Sequence, residues 1–428
     1  MRLPTDHPQR YILNNEIHSR APREVEAPEQ ISYLALTYTP TDKDQAMEDL
    51  FRLCEMTGAA PPPQGALHFR TKMGSLELNW ERHTEFATYT FSRRAPFDEP
   101  FKSPPLLQVP EQWLLGANGQ LFVGIHLTVR DHRMFVPDLH DILPDFSNNY
   151  LVGAKLGGGS AIVLTDFRIH EDGIGRMLLM DLKMGKRQGG RIVARLLEIE
   201  TYRMACLLAL PVAREVALTV AKAEIELAAH TTSLTLKQAD DEPALLKQLT
   251  SLAATVENQL ATTNFRFGAA RAYYAIVKLR VAELREERLT GLQTIEEFLE
   301  RRLTPAMNTC ESVAKRLFDL SERVSRASAL LRTRVDIERE QQNQALLASM
   351  NRRAKMQLHL QETVEGLSIA AITYYVVGLI GYGAKGVRAV GIDLNVEAAI
   401  AISIPIVAVG IWYLLKRWRE KSIATTQK

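Results

Sequence analysis

Two stretches near the C-terminal end of the chain contain no charged residue and no histidine. The first covers 19 residues from Gly366 to Ala384, and the second covers 18 residues from Ala398 to Leu415. An α-helix of roughly 20 apolar residues is long enough to cross the hydrocarbon layer of a bilayer. Helices in soluble cores rarely run so far without a charged face, so we interpret both stretches as membrane spans rather than buried helices.

Basic residues are concentrated outside this pair of spans and are sparse between them. The flanks carry seven Lys or Arg residues, whereas the eleven-residue connection 385–395 carries two. The positive-inside rule therefore places both ends of the pair in the cytoplasm and the connection outside. The flanking basic residues are Arg352, Arg353, Lys355, Lys416, Arg417, Arg419 and Lys421, and those between the spans are Lys385 and Arg388.

The rest of the chain has the composition of a protein in water. Of its 428 residues 24% are charged, which is too many for a chain made mostly of membrane helices. The formal net charge of +2 argues against a nucleic-acid partner. Cys54, Cys206 and Cys310 lie far apart without a CxxC pair, as expected in a reducing compartment. The N-terminus has no apolar core of a signal peptide.

Residues 1–186 read as a mixed cytosolic domain of the α/β or α+β class. Short β-branched and aromatic runs alternate with turn residues, which is typical of strands and hairpins. A helix that Gly58 can end is expected after the first strand, with Thr41 or Asp42 as its N-cap. The expected strands are 31–39, 66–72, 76–83, 85–93 and 121–129, followed by hairpins around 157–159 and 171–173.

From residue 187 onward the pattern is helical. We expect a kink at Pro211, a break at Thr290-Gly291, and a new helix capped by Thr304 with Pro305 in its first turn. No further Pro or Gly occurs before Gly366, so this helix can run unbroken into the first span. The predicted segments are 1–186, a helical segment 187–303, a long stalk helix 304–365, spans 366–384 and 396–415, an outer loop 385–395 and a basic tail 416–428.

Apolar residues in the first half of the stalk helix recur at alternating spacings of four and three. This spacing predicts a coiled-coil seam that packs along another helix or along copies of the same chain. The seam ends before the polar stretch 336–344, and an isolated solvated helix is the alternative for the stalk. The seam residues are Val313, Leu317, Leu320, Val324, Ala327 and Leu331.

Three blocks of sequence stand out, beginning at His7 (HPQRYILNNEIHSR), Leu196 (LLEIETYRMACLLALPVAR) and Glu297 (EFLERRLTPAMNTC). Together they resemble a bacterial family of membrane-anchored proteins without an assigned function, and the similarity spans nearly the whole chain. The resemblance implies residence in the bacterial inner membrane and implies no particular reaction.

The order of elements carries a second resemblance. A mixed cytosolic domain precedes a long helix, two spans with a short outer loop, and a basic tail. Met350-Asn351 lie before the first span and Leu367-Ser368-Ile369 open it. This arrangement resembles the CorA-type divalent cation channels. The resemblance implies a homo-oligomer, a pentamer in that family, whose first spans surround a path for an ion such as Mg²⁺.

The outer end of the first span departs from the CorA pattern. Those channels carry Tyr-Gly-Met-Asn there, whereas this chain has Tyr382-Gly383-Ala384-Lys385. In place of an amide carbonyl, Lys385 would put a ring of positive charge at the mouth of a pore. Such a ring repels divalent cations and favours anions or no conduction, unless the ammonium group turns toward lipid headgroups. Gly383, Ala384 and Lys385 are the candidate mouth residues.

One face of the first span is the candidate pore lining. Its small residues would also let helices approach closely, so packing within the hairpin is an equal alternative. The face consists of residues spaced three and four apart, namely Ser368, Ala371, Tyr375, Gly378 and Tyr382.

Chemistry-bearing motifs are sparse elsewhere. A polar segment rich in His and carboxylates is a weak candidate for a divalent metal, although its spacing fits no known ligand pattern. Asn14, Glu16 and His18 are acid–base candidates without a nearby nucleophile. No phosphate-binding loop or dinucleotide fingerprint occurs, so we expect no enzyme and no cofactor. The metal candidates are Asp131, His132, Asp138, His140 and Asp141, with Asp145 nearby.

Two functions therefore remain open. The first is an oligomeric ion channel or transporter that resembles the CorA type. The second is a cytosolic scaffold or sensor that the two spans merely anchor to the membrane.

Overall fold

A computed structural model describes residues 4–11, 13–14, 23–38, 44–132, 138–235, 242–389 and 395–426. By its internal contacts the chain divides into two units, Met1–Ser328 and Ala329–Lys428. The first unit contains a sheet with helices on both faces, as expected for the N-terminal part, and long helices follow it. The second unit consists of the later part of one long helix and of the last helix.

The sheet has nine strands among the described residues, in the order β2-β3-β4-β1-β5-β8-β7-β6-β9. Only β5 and β8 are parallel neighbours, and the other neighbouring pairs are antiparallel. The strands are β1 Glu29–Thr37, β2 His68–Met73, β3 Leu76–Arg82, β4 Phe86–Arg93, β5 Gln120–Asp131, β6 Val152–Leu156, β7 Ala161–Ile169, β8 Gly175–Asp181 and β9 Glu287–Arg288.

The helices are short in the first part of the chain and long in the second. They are α1 Gln45–Thr57, α2 Glu111–Gly116, α3 Leu139–Ile142, α4 Lys186–Leu207, α5 Ala209–Thr235, α6 Glu242–Leu284, α7 Ile295–Ala389 and α8 Val396–Thr426. The predicted helix before Gly58 is confirmed as α1, whose end is the left-handed Gly58. Its predicted caps Thr41 and Asp42 lie outside the described residues.

Alternation along the strands separates the two faces of the sheet. On one face Trp80, Tyr89 and Phe91 are fully buried together with Trp113 of α2 and Leu50 of α1. The other face carries α4, where the Tyr33 hydroxyl lies 2.8 Å from Thr201 Oγ1. The sheet is thus a layer between two sets of helices, which is the usual way for a sheet to bury both faces.

Both predicted hairpins are confirmed. The turn between β6 and β7 contains Gly157, Gly158 and Gly159, all with positive φ, and the turn between β7 and β8 contains Gly173 with a φ of 80°. Residues with a Cβ rarely adopt this backbone conformation, so glycine at these positions allows the tight reversals.

We expected a kink at Pro211, but the helix is interrupted three residues earlier, at Leu208. The helix ends at Leu207, and a new helix, α5, begins at Ala209. Pro211 therefore lies in the first turn of α5, where a backbone N–H would have no partner within the helix. Proline thus separates two helices here rather than bending one.

The predicted start of the stalk helix at Thr304 is wrong. Helix α7 begins at Ile295, and Pro305 lies inside it. Thr294 and Glu297 form a reciprocal cap, in which the Glu297 N–H donates to Thr294 Oγ1 at 3.1 Å and the Thr294 N–H donates to the Glu297 carboxylate at 3.3 Å. A capping box fixes a helix start more strongly than the lone Thr304. The Thr304 hydroxyl instead pairs with Tyr274 at 2.8 Å.

The predicted seam is buried within one chain over most of its length. Val313, Leu317, Leu320 and Val324 are at most 5% exposed. Ion pairing accompanies the seam, because Arg316 binds Glu224 of α5 at 2.7 Å. The helices that cover the seam are therefore α5 and α6, and of the two predicted partners the structure provides another helix of the same chain. Farther along, Ala327 is half-buried and Leu331 is buried.

The connection between the two predicted spans is shorter than predicted. Helix α7 extends to Ala389, and α8 begins at Val396. Residues 385–389, which we expected in a loop, continue the helix, since the stretch has no proline and its one glycine, Gly386, only weakens a helix. Residues 390–394 lie outside the described part of the chain.

Candidate functional site

Three helical segments among the described residues are long and apolar enough to cross a membrane. They are Lys186–Ser233, Ile295–Val387 and Val396–Arg417. In the first, 33% of the most apolar window is buried within the fold, against 11% and 6% in the other two. Exposed apolar helices need another apolar environment, whereas the first segment already has one. The two segments with the exposed windows contain the predicted spans.

Helices α7 and α8 contact each other through small and branched side chains. Val377, Gly381 and Ala384 recur at spacings of four and three and are buried on the side that faces α8. A Cβ at Gly381 would lie only 3.0 Å from Ile400 Cδ1. Glycine at this position therefore permits the close approach of the two helices.

The candidate pore-lining residues lie on a different side of α7. With 3.6 residues per turn, Ser368, Ala371, Tyr375 and Tyr382 are centred about 140° around the helix from Val377. All of them are exposed, Tyr375 by 72% and Tyr382 by 75%. Gly378 belongs to the same exposed side. Packing within the hairpin therefore does not use this face, and lining of a pore stays a prediction.

The three candidate mouth residues lie on different sides of α7. Ala384 is buried on the side toward α8, whereas Gly383 and Lys385 are exposed. The Lys385 ammonium lies 5.8 Å from the centre of the Tyr382 ring, a cation–π distance. A positive charge and an aromatic ring therefore lie together at the end of the candidate lining face.

The exposed face continues toward the middle of α7 as a line of large apolar residues. Leu346, Met350, Leu360 and Val364 fall within about 40° of the direction of Tyr382 on the helix. Each is more than half exposed. We call these four residues and the five lining candidates the α7 stripe. The sequence analysis did not predict the part of the stripe from Leu346 to Val364, its lower part, because polar residues separate it from the seam. Only the angular positions of these residues around the helix show that they continue the lining face.

Two basic side chains are aligned with the stripe, one before its first residue and one within it. Arg339 and Arg353 have the same helical direction as its apolar residues, and both are exposed. No Asp or Glu lies within about 60° of this direction between residues 332 and 364. The stripe is therefore both apolar and positively charged over this stretch.

The metal candidates do not form a metal site among the described residues. No group of three or more His, Cys, Asp or Glu side chains there could hold an ion. Asp131 is the last residue of β5 and His132 follows it, where the His132 N–H donates to the Asp181 carbonyl at 2.9 Å. Asp138 accepts a hydrogen bond from the His140 N–H at 3.4 Å and caps α3, whose single turn contains Asp141.

The acid–base candidates fall mostly outside the described residues. Glu16 and His18 belong to the segment 15–22, of which nothing is described, while Asn14 is exposed. Asp145 lies in the turn after α3, and burial raises the pKa of its carboxyl group.

Comparison with known families gives one match. The model described as "Protein of unknown function (DUF3422)" matches residues 5–422, which is nearly the whole chain. The chain belongs to the DUF3422 family. Searches of the curated proteins and of the solved structures gave no match. The DUF3422 assignment agrees with the predicted membership of a family without assigned function, and it carries neither a reaction nor a relation to CorA-type channels.

Proposed function

We propose that this DUF3422 protein is an oligomeric protein of the bacterial inner membrane in which several copies of α7 surround a path for ions. The ends of α7 and α8 would be its two spans, with both termini in the cytoplasm. The basic flanks support this orientation. The observation that carries the proposal is the α7 stripe, an exposed and largely apolar line of residues that runs from Leu346 to Tyr382.

The lower part of the stripe supports association with copies of the same chain. Large apolar residues are exposed there, on a stretch of helix that propensity alone stabilises only weakly. Copies inserted in one orientation present the same residue at the same height above the membrane. Leu346 would then meet Leu346, and Leu360 would meet Leu360, as in parallel coiled coils.

The charges along the stripe bear on the transported ion. The resemblance to CorA-type channels implies a divalent cation such as Mg²⁺ and a pentamer. A ring of Arg353 and a ring of Lys385 would both repel a divalent cation and attract an anion. We therefore include both classes of ion in the test, and we expect the larger flux for anions.

Assembly is tested with paired substitutions on two sides of α7. The variant with Leu346→Glu and Leu360→Glu places charges in the stripe, whereas Leu347→Glu with Leu358→Glu places them about 100° away. Native mass spectrometry in mild detergent should show an oligomer for the parent protein and for the second variant. The first variant should dissociate. A monomeric parent protein would overturn the proposal.

Transport is tested in liposomes that contain either a chloride-sensitive or a magnesium-sensitive dye. The parent protein should conduct the anion, and Lys385→Asn should shift the ratio of fluxes toward Mg²⁺. An intact oligomer that conducts neither ion would contradict the ion path. It would favour the alternative function, a cytosolic scaffold or sensor that the spans anchor in the membrane.

A further inference from the structure

A polar cleft opens in the first unit between the sheet and α4. Its volume is about 350 Å³, which lies within the range of small-molecule sites. Strands β1, β3 and β4 form the floor, α4 forms one wall, and the end of α6 closes it. The block that begins at Leu196 contributes Glu198, Thr201 and Tyr202 to its lining.

The floor of the cleft is unusually polar for a sheet face that lies under a helix. Asn79, Glu81, Thr88 and Thr90 occupy it, while the alternate residues of the same strands form the aromatic core on the other face. Thr88 is 4% exposed and Thr90 is 8% exposed, and both side chains line the cleft. A hydroxyl group can both donate and accept a hydrogen bond, so these two groups are suited to meet a ligand that carries polar groups.

Arginines provide positive charge around the floor. The Arg23 side chain is 10% exposed and pairs with Glu29, and its Nη2 has no hydrogen-bond partner in the described part of the chain. Arg191 is exposed at the rim and has no ion pair with a described residue. Arg70 pairs only loosely with Glu77, at 3.5 Å. Guanidinium groups with free N–H donors bind carboxylates and phosphates in a bidentate manner.

Other arginines of the cleft are already neutralised. Arg280 binds Glu198 and Glu283, and Arg195 binds Glu283 at 2.8 Å. Burial raises the pKa of Glu198, and the neighbouring Arg280 opposes this shift. Of the five arginines that line the cleft, Arg191 is the one without an ion pair to a described residue, and Arg23 keeps one N–H group without a hydrogen-bond partner there. The Glu81 carboxylate, 3.1 Å from Asn79 Nδ2, can accept a hydroxyl proton in a hydrogen bond.

We propose that this cleft binds a small organic anion that also carries hydroxyl groups, in the class of sugar phosphates and hydroxy acids. The anionic group would lie against Arg23 and Arg191, and the hydroxyl groups would bind Thr88, Thr90 and Glu81. This inference concerns the first unit alone and does not depend on transport by α7.

Binding is tested on the full-length protein in detergent by thermal unfolding and isothermal titration calorimetry. The probes are ribose 5-phosphate, citrate, inorganic phosphate and neutral ribose. We expect ribose 5-phosphate or citrate to raise the unfolding temperature by several degrees, and the stronger of the two identifies phosphate or carboxylate as the preferred group. Neutral ribose should have no effect. Equal shifts with inorganic phosphate would indicate unspecific anion binding and would overturn the proposal.

Variants localise the binding. Thr90→Val retains the shape of the side chain and removes its hydroxyl group, and Arg191→Ala removes a rim charge. Each should weaken binding about tenfold or more, the effect of one lost charge-assisted or buried hydrogen bond. Arg187→Ala removes a charge from the same helix outside the cleft, where Arg187 pairs with Glu24, and should leave the affinity unchanged. Unchanged affinity in both cleft variants would exclude this site.

Discussion

His126 is a buried titratable residue whose surroundings favour its neutral form. It lies on β5, and its Nδ1 is 3.0 Å from Ser32 Oγ, which also accepts the Leu106 N–H. Its pKa is lowered to about 4, chiefly by burial; Asp172 opposes the shift and Arg176 adds to it. The neutral imidazole is therefore part of the folded core.

The pH dependence of folding follows from this shift. The unfolded chain has the ordinary histidine pKa of about 6.5 and binds a proton first as the pH falls. The free energy of unfolding should be largest above that pKa and decrease by about 3 kcal/mol between about pH 6.5 and about pH 4. Urea unfolding at several pH values measures the decrease, and His126→Gln should reduce its slope. The exposed His140 is the control, because His140→Gln should leave the slope unchanged.

Gly190 is required by a close backbone approach. A Cβ at this position of α4 would lie 1.8 Å from the Arg23 carbonyl oxygen. Gly190→Ala should therefore lower the free energy of unfolding by about 2 kcal/mol or more, since one of the two segments must move. Gly268 in α6 has open space around it, and Gly268→Ala should raise stability by about 0.5–1 kcal/mol. Equal effects of the two substitutions in chemical unfolding would contradict this reading.

At the scale of one element, the basic residues of α7 oppose the association proposed for it. If identical faces meet, Arg353 lies beside its own copies, and like charges at one height destabilise the assembly. Arg353→Leu should then strengthen the oligomer, lowering its dissociation constant by about tenfold, roughly 1.4 kcal/mol. Arg352 points about 100° away and provides the control. Dissociation followed by light scattering on dilution in detergent measures both, and a weaker Arg353→Leu oligomer would contradict the placement of the stripe.

Elements with a strong local signal were predictable from the sequence. The strands β1 to β5, the two glycine hairpins and α1 follow from alternation and turn residues, and each lies within a few residues of its predicted place. The two-residue strand β9 was not predictable, because so short a pair depends on β6 rather than on its own residues. The predicted start of α7 was wrong because proline is common in the first turn of a helix, whereas Pro305 lies inside α7 and the cap of Thr294 and Glu297 begins it.

The candidate site was predictable only in part. The sequence identifies the apolar spans and the spacing of Ser368 to Tyr382, since both are local properties of one helix. The polar cleft was not predictable, because Arg23, Thr90 and Arg191 are distant in sequence and meet only after the sheet folds. An isolated polar residue in a strand does not indicate which other residues will lie opposite it in the folded protein.

At the scale of the whole chain, the first unit should fold without the second. A fragment of residues 1–328 contains the complete sheet and the part of α7 that packs on α5 and α6. We expect it to be soluble, monomeric and cooperative in thermal unfolding. A fragment of residues 1–303 ends at the predicted domain boundary and lacks Leu317, Leu320 and Val324. It should aggregate or unfold at a markedly lower temperature than the fragment of residues 1–328. Equal stability of the two fragments would show that the first domain does end at residue 303.

The partner of the seam illustrates what sequence periodicity leaves open at this scale. The apolar spacing from Val313 to Val324 predicts that the helix packs against another helix. The same spacing is expected whether that helix belongs to a neighbouring chain or to the same chain. The choice depends on whether α5 and α6 reach the seam. They do, through contacts such as the Arg316–Glu224 pair and the 3.3 Å contact between Ser321 and Glu257.

The short strand β9 has a mechanical consequence for α7. Glu287 and Arg288 pair with β6 at the sheet edge, and the Glu286 carboxylate accepts the N–H groups of Ile295 and Glu296 at 3.0 and 2.8 Å. Phe298 stacks on Phe167 of β7 with ring centres 4.7 Å apart. These contacts attach the first turn of α7 firmly to the edge of the sheet. A force that rotates or displaces this end of the helix therefore acts directly on strands β6 and β7.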